Sequence, residues 1–182
     1  TLGLRINVDG TQNILRYAER LSGLEKLHYV STCYVSGRYA GPYRESDLDK
    51  GQRFNNYYEE TKFLAEVEVQ KSQLPWVIYR PAVVVGDSRS GATLKYDGPY
   101  PVIKWLLRFP FLSILPRIGD PSVARINLVT QDFVLDALTY LSMNASKPGT
   151  VYQLSDPNPL TVEEMVSELG RTCKRRVFPL QL

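Results

Sequence analysis

The chain has 182 residues, 43% hydrophobic and 23% charged, with a formal net charge of +3. That is the composition of an ordinary globular domain, and it excludes collagen, whole-chain disorder and a disulfide scaffold. The charge is too small for a dedicated nucleic-acid binder, and no apolar run approaches the ~18 residues of a membrane-spanning helix.

The elements follow in chain order. Residues 4–22 place Leu4, Val8, Thr11, Ile14, Leu15, Ala18 and Leu21 at spacings of three and four, which predicts a helix stopped by Ser22-Gly23. Residues 26–31 form an aromatic and β-branched run that predicts a strand, and the Gly, Pro, Asp and Arg content of 37–53 predicts a loop. A long helix is expected over 54–73, ended by Leu74-Pro75. The run 76–80 then reads as a strand continuing through Pro81 into Ala82–Gly86, apolar enough to be buried on both faces.

Residues 87–98 read as a loop and 101–109 as a helix opened by Pro101. A strand is expected at 126–129, a helix at 131–144 and a strand at 151–154. Thr161-Val162-Glu163-Glu164 matches a capping box that starts a last helix. Alternating helices and strands argue for an α/β domain with a parallel sheet, and no linker or repeat divides the chain.

Cys33 and Cys173 are the two cysteines and stand in no metal-ligand spacing. A reducing, cytoplasmic setting is expected. The single histidine, His28, removes any multi-histidine metal site. It sits in an alternating strand and reads as structural. The only methionines are Met143 and Met165, so a translation start is missing and the sequence reads as a processed chain, an excerpt or the observed part of something longer.

The first chemical candidate is Tyr58-Glu59-Glu60-Thr61-Lys62. Positions i and i+4 share a helix face, so the Lys62 ammonium can favour the tyrosinate of Tyr58 and make it a proton donor or acceptor near neutral pH. The spacing alone is weak, since Tyr100 and Lys104 match it too. Context separates them. Only Tyr58 is preceded by a strand ending in Ser31-Thr32-Cys33, and open parallel sheets bind ligands at the carboxyl ends of their strands. Thr32 could donate a hydrogen bond to a carbonyl oxygen there. Glu59, Glu60, Glu66 and Glu68 read as the solvated face of this helix. Arg171, Lys174, Arg175 and Arg176 suit a helix C-terminus.

The chain resembles the extended short-chain dehydrogenase/reductase family over nearly its whole length. Asn7-Val8-Asp9-Gly10-Thr11-x-Asn13 is similar to the family's NVxGTxN helix motif, and His28 to Gly37 to its active-site strand motif. Tyr58 and Lys62 fall on YxxxK, Arg80-Pro81-Ala82-Val83-Val84-Val85-Gly86 on RPxxVxG, and Asn127 to Val134 on a later strand-to-helix segment. Val30-Ser31-Thr32 and Gly86 to Gly91 resemble the branch of fatty acyl-CoA reductases and carrier-protein thioester reductases, the male-sterility-type proteins.

The resemblance implies a Rossmann-like doubly wound parallel sheet. Residues 1–182 would be its C-terminal part, lacking the first strands and the glycine-rich cofactor turn, with substrate-side segments at about 87–125 and 155–182. It implies Thr32, Tyr58 and Lys62 as the catalytic set. Tyr58, Lys62 and the backbone of Pro81, Ala82, Val83 and Val84 would contact a nicotinamide cofactor, NADP(H) ahead of NAD(H), although the residue that decides between them follows a strand this chain does not contain. Thr32, Cys33 and Arg89 would face an acyl-CoA or acyl-carrier-protein substrate, Arg89 through a phosphate. No metal, nucleic acid or integral membrane segment is expected, and a homodimer through the Asn7 and Tyr58 helices is implied. The alternatives are a sugar-nucleotide or steroid-type epimerase or dehydrogenase on the same fold, and a non-catalytic binding or regulatory protein.

Overall fold

The computed structural model describes residues 2–96, 98–108, 112–117, 120–145, 147–174 and 176–181. They form two compact units, Thr1–Ala82 with Phe133–Ser155, and Val83–Asp132 with Asp156–Leu182.

In the first unit a π-helical turn, Leu4–Asp9, runs into α1, Gly10–Ala18. The expected helix thus stops four residues early, where the Glu19 N–H closes on the carbonyls of Leu15 and Tyr17. Strand β1 is Leu27–Val30, followed by a 3₁₀ turn over Cys33–Ser36 that local pattern did not indicate. Thr32 caps this turn and Gly37 ends it at φ +51°. A Cβ on Gly37 would lie 2.4 Å from the Arg53 carbonyl oxygen, so only glycine lets the turn pack against the loop that follows.

Helix α2, Tyr57–Lys71, begins where the Asn56 side chain accepts the Glu59 N–H. It ends just ahead of the Leu74-Pro75 stop read from the sequence. Strand β2, Trp76–Pro81, lies between β1 and β6, Thr150–Leu154, and pairs parallel with both. Ile78 is matched to Tyr29 on one side and Val151 on the other. The core beneath joins Leu15, Val69, Ile78 and Val151, with Leu27, Tyr29, Leu74 and Trp76 against it. Each such apolar side chain stabilises the fold by roughly 1.5–3 kcal/mol when fully buried.

The expected continuous strand 76–86 is two strands. Ala82 gives its N–H to Leu154, whereas Val83 gives its own to Asn127. The partner changes at that peptide. β3, Val83–Val85, therefore belongs to the second unit and pairs parallel with β5, Leu128–Thr130. The apolar run masked the break because both halves are strand.

The second unit also holds α3, Tyr100–Arg108, and a parallel pair of β4, Leu112–Arg117, with β7, Arg176–Gln181, that periodicity missed. Helix α5, Val162–Thr172, starts at Thr161 with the capping box read from the sequence fully formed. Arg171 in its last turn pairs with Glu168, and Arg175 of the basic cluster lies outside the described residues. Helix α4, Gln131–Tyr140, and a π-helical turn, Leu141–Ala145, complete the elements. The α/β class with parallel pairing is as the alternation predicts.

Candidate active site

In the first unit helix α2 carries Tyr58 and Lys62, the end of β1 leads into Thr32, and Lys62 ties the two elements. Lys62 Nζ donates to the Val30 carbonyl oxygen at 2.8 Å, two residues before Thr32. It also donates to Tyr29 Oη at 3.4 Å and lies 4.8 Å from the centre of the Tyr29 ring. Lys62 is thus tied to the carboxyl end of β1, one helical turn after Tyr58. Burial pushes the ammonium below its usual range, and the Glu66 carboxylate partly restores it.

Tyr58 stands in the first turn of α2 and is 54% exposed. Its backbone is held from the other side. Asn7 Nδ2 donates to Thr61 Oγ1 at 2.9 Å, and Thr61 Oγ1 donates to the Tyr58 carbonyl at 3.2 Å. The NVxGTxN segment therefore braces the YxxxK segment. Glu59 completes the start of the helix by accepting from the Asn55 N–H at 2.8 Å and from the side chains of Asn55 and Asn56.

Thr32 is only 5% exposed. Its hydroxyl accepts the Tyr34 N–H at 3.3 Å and acts to lower the pKa of the neighbouring Cys33 thiol. Burial pushes that thiol up to about 11, so Cys33 is protonated at neutral pH and is no nucleophile. Ser31 is buried too, and its hydroxyl has no partner among the described residues.

Two of the acidic residues expected on a solvated face are buried. Glu66 is fully buried and holds Arg80 with Nη2–Oε1 at 2.6 Å and Nε–Oε1 at 3.1 Å. Arg80 also donates to the carbonyls of Asp47 at 2.8 Å and Arg44 at 3.3 Å. One ion pair thus ties β2, α2 and the 43–48 loop together. Glu59 is buried against Asn55 and Asn56, whereas Glu60 is exposed and Glu68 accepts from Gln12 at 2.8 Å. The signal for Arg80 was legible: a charge inside an apolar strand needs a buried partner. Nothing in the local pattern pointed to Glu66.

His28 pairs with the Tyr79 hydroxyl at 2.9 Å through Nδ1 and stacks on that ring, the structural role expected of it. The second YxxxK match is structural as well. Tyr100 Oη accepts the Gly86 N–H at 2.7 Å, and a Cβ at Gly86 would lie 3.1 Å from that oxygen.

Pro81 and Ala82 are buried at the end of β2, and Val83 and Val84 open β3 in the other unit. The N–H groups of Ala82 and Val83 are already given to Leu154 and Asn127, so a ligand contact along 81–84 falls to other backbone groups. Arg89 is exposed, on a loop that Asp87 organises by accepting the N–H of Arg89 at 3.1 Å and of Ser90 at 2.8 Å. Ser88 donates to Asp132 from both N–H and hydroxyl, which holds the Asp132 carboxyl well below the usual range.

The donor set suits a nicotinamide ribose and a carbonyl oxygen. Among the described residues two of the three Lys62 ammonium protons have acceptors, which leaves one for a sugar hydroxyl. No group of three or more His, Cys, Asp or Glu among the described residues could hold a metal ion. No helix among them is long and apolar enough to cross a membrane.

The chain is similar to several known proteins. The family model described as "Male sterility protein" matches residues 3–138. Glycine betaine reductase ATRR of Emericella nidulans is 29% identical over 90% of this chain and 13% of its own length. A nonribosomal peptide synthetase of Aspergillus flavus, asaC, is 27% identical over 92% of this chain and 18% of its own. The terminal R domain from the myxalamid PKS-NRPS biosynthetic pathway superposes with a TM-score of 0.80 and 32% identity, over 96% of this chain and 44% of that one. The chain thus spans under half of that domain and less than a fifth of the two curated relatives.

Proposed function

The chain belongs to the male sterility protein family, within the extended short-chain dehydrogenases/reductases, and on that premise we propose that it is the carbonyl-side part of an NAD(P)H-dependent thioester reductase. The observation that carries the reading is the anchoring of Lys62 at the carboxyl end of β1, two residues before Thr32 in sequence and one turn from Tyr58. The likeness to the terminal R domain supports the thioester class.

A bound nicotinamide cofactor, NADP(H) ahead of NAD(H), would supply the hydride, held by Tyr58, Lys62 and the backbone of Pro81, Ala82, Val83 and Val84. Thr32 and Tyr58 donate hydrogen bonds to the carbonyl oxygen of the substrate. Negative charge grows on that oxygen as the carbon is reduced, and the Tyr58 phenol gives it a proton. Lys62 stabilises the tyrosinate left behind. The tetrahedral product of a thioester then expels a thiol and leaves an aldehyde.

Cys33 lies on the substrate side of this scheme, and Arg89 meets a phosphate of a coenzyme A or carrier-protein arm. Segments at about 87–125 and 155–182 serve substrate binding. A homodimer through the Asn7 and Tyr58 helices and a cytoplasmic setting complete the reading. Exposed Ile6, Ile14 and Tyr17 on the first helical segment support the dimer, and a monomeric mass by light scattering would remove it.

The test is NADPH consumption by the protein that carries this chain, with acyl-CoA and acyl-carrier-protein thioesters, following aldehyde and free thiol. Wild type turns over, and Tyr58→Phe loses ~10²–10⁴-fold. Full rate in Tyr58→Phe sinks the proposal. Turnover of UDP-sugars without thioester reduction assigns the chain to the epimerase reading instead.

A further inference from the structure

Lys62 is reached by a residue that neither the YxxxK pattern nor the active-site strand motif assigns. Tyr29 lies in β1, and its neighbour Val30 supplies the carbonyl that Lys62 binds. The ring centre is 4.8 Å from Lys62 Nζ, well inside the ~6 Å reach of a cation–π contact. Its hydroxyl oxygen, 3.4 Å away, accepts from the same ammonium. The ring is itself held, packed against the core of Leu15, Val69, Ile78 and Val151.

We propose that Tyr29 is the positioning residue for Lys62, holding the ammonium against the carboxyl end of β1 with its ring. Held there, the lysine cannot swing out to solvent, as a four-carbon side chain on a helix otherwise does. The ring does most of this. A hydroxyl contact of 3.4 Å is long for a hydrogen bond, and the cation lies toward the hydroxyl end of the ring, within cation–π reach of its centre. Burial pushes the Tyr29 phenol up to about 12, so the residue stays neutral and does not compete with Tyr58 as the titrating phenol. The charged group facing Lys62 from its own helix is Glu66, already paired with Arg80 on β2. Tyr29 and Tyr58 are the neighbouring phenols.

The effect on turnover rests on the reductase reading, but the contact does not, and the experiment separates the two. Competitive acylation of the chain, read residue by residue by mass spectrometry, reports the access and nucleophilicity of Lys62 without cofactor or substrate. Lys71 is exposed on the same helix and serves as the reference. In wild type Lys62 should label ~10-fold or more slowly than Lys71, in keeping with its burial and cation–π contact. Tyr29→Phe keeps the ring and should leave this unchanged. Tyr29→Leu, or Tyr29→Val if the first folds poorly, should raise Lys62 labelling ~3–30-fold.

Turnover of the full protein should follow the same order. Tyr29→Phe stays within ~3-fold of wild type, and the aliphatic variants lower kcat more than they raise KM. Wild-type Lys62 labelling as fast as Lys71 overturns the proposal without any variant, and so does equal labelling of Lys62 in the Phe and aliphatic variants. If the labelling order holds while Tyr58→Phe keeps full turnover, the positioning stands and the reductase reading falls.

Discussion

Arg80 and Glu66 face each other with no solvent exposure, Nη2 to Oε1 at 2.6 Å, fourteen residues apart in sequence. The contact joins the strand that ends at Pro81 to the helix that carries Tyr58 and Lys62. Arg80→Met would leave a carboxylate buried without its partner and should cost ~3–5 kcal/mol in urea denaturation. Arg80→Met combined with Glu66→Leu removes both charges and should recover most of that loss. A double variant as unstable as the single one would show that packing rather than charge is at stake.

Tyr58 and Tyr100 share the same four-residue spacing to lysine yet should respond in opposite ways. Tyr100→Phe strips the buried Gly86 N–H of its acceptor and should cost ~1–3 kcal/mol of stability with kcat unchanged. Tyr58→Phe, at a half-exposed position, should leave the melting curve in place and lower turnover ~10²–10⁴-fold. Thermal melts alongside rates distinguish the two, and a turnover defect confined to Tyr100→Phe would reverse the assignment.

Gly37→Ala should destabilise the chain more than Gly23→Ala. Both positions have positive φ, +51° and +86°, and the Gly37 ψ of −134° lies outside the left-handed helical region as well, so alanine is strained by roughly 1–3 kcal/mol at either. Only Gly37 also meets a backbone oxygen at 2.4 Å, whereas nothing lies within 4 Å of Gly23. Equal midpoints in denaturant for the two variants would contradict the close packing of the turn after Thr32.

Cys33 should resist alkylation near neutral pH and become reactive only as pH approaches 11. Burial raises the thiol to about 11 from an ordinary value near 9, against the opposing effect of the Thr32 hydroxyl. The sign for stability follows. The folded state holds the proton longer, so the contribution is complete below pH 9 and is lost as pH rises through 11. Iodoacetamide labelling followed across pH measures the first effect, and melts over the same range measure the second. Labelling near pH 7 at the rate of an unstructured cysteine would contradict both.

Much of the fold was legible because it is written in local pattern. Thr161 and Glu164 form the capping box their spacing announced, and Leu74-Pro75 follows directly on the end of α2 as read. The parallel pairing of β1, β2 and β6 follows from the alternation of elements. Thr32, Tyr58 and Lys62 could be picked out because a strand end and a helical i,i+4 pair are sequence-level features. The break after Ala82 left no trace, since a change of hydrogen-bond partner from Leu154 to Asn127 does not alter side-chain character.

The amino-acid sequence by itself picked out the candidate residues for chemistry and most of the helices and strands, because propensity, capping and periodicity act between neighbours. Tertiary structure alone decided how those residues are held. Lys62 finds Val30 and Tyr29 more than thirty positions away, and Glu66 becomes a buried partner of Arg80 rather than a solvated charge. These are contacts between elements, and whether a charged side chain meets water or a counter-ion depends on what the packed chain places beside it.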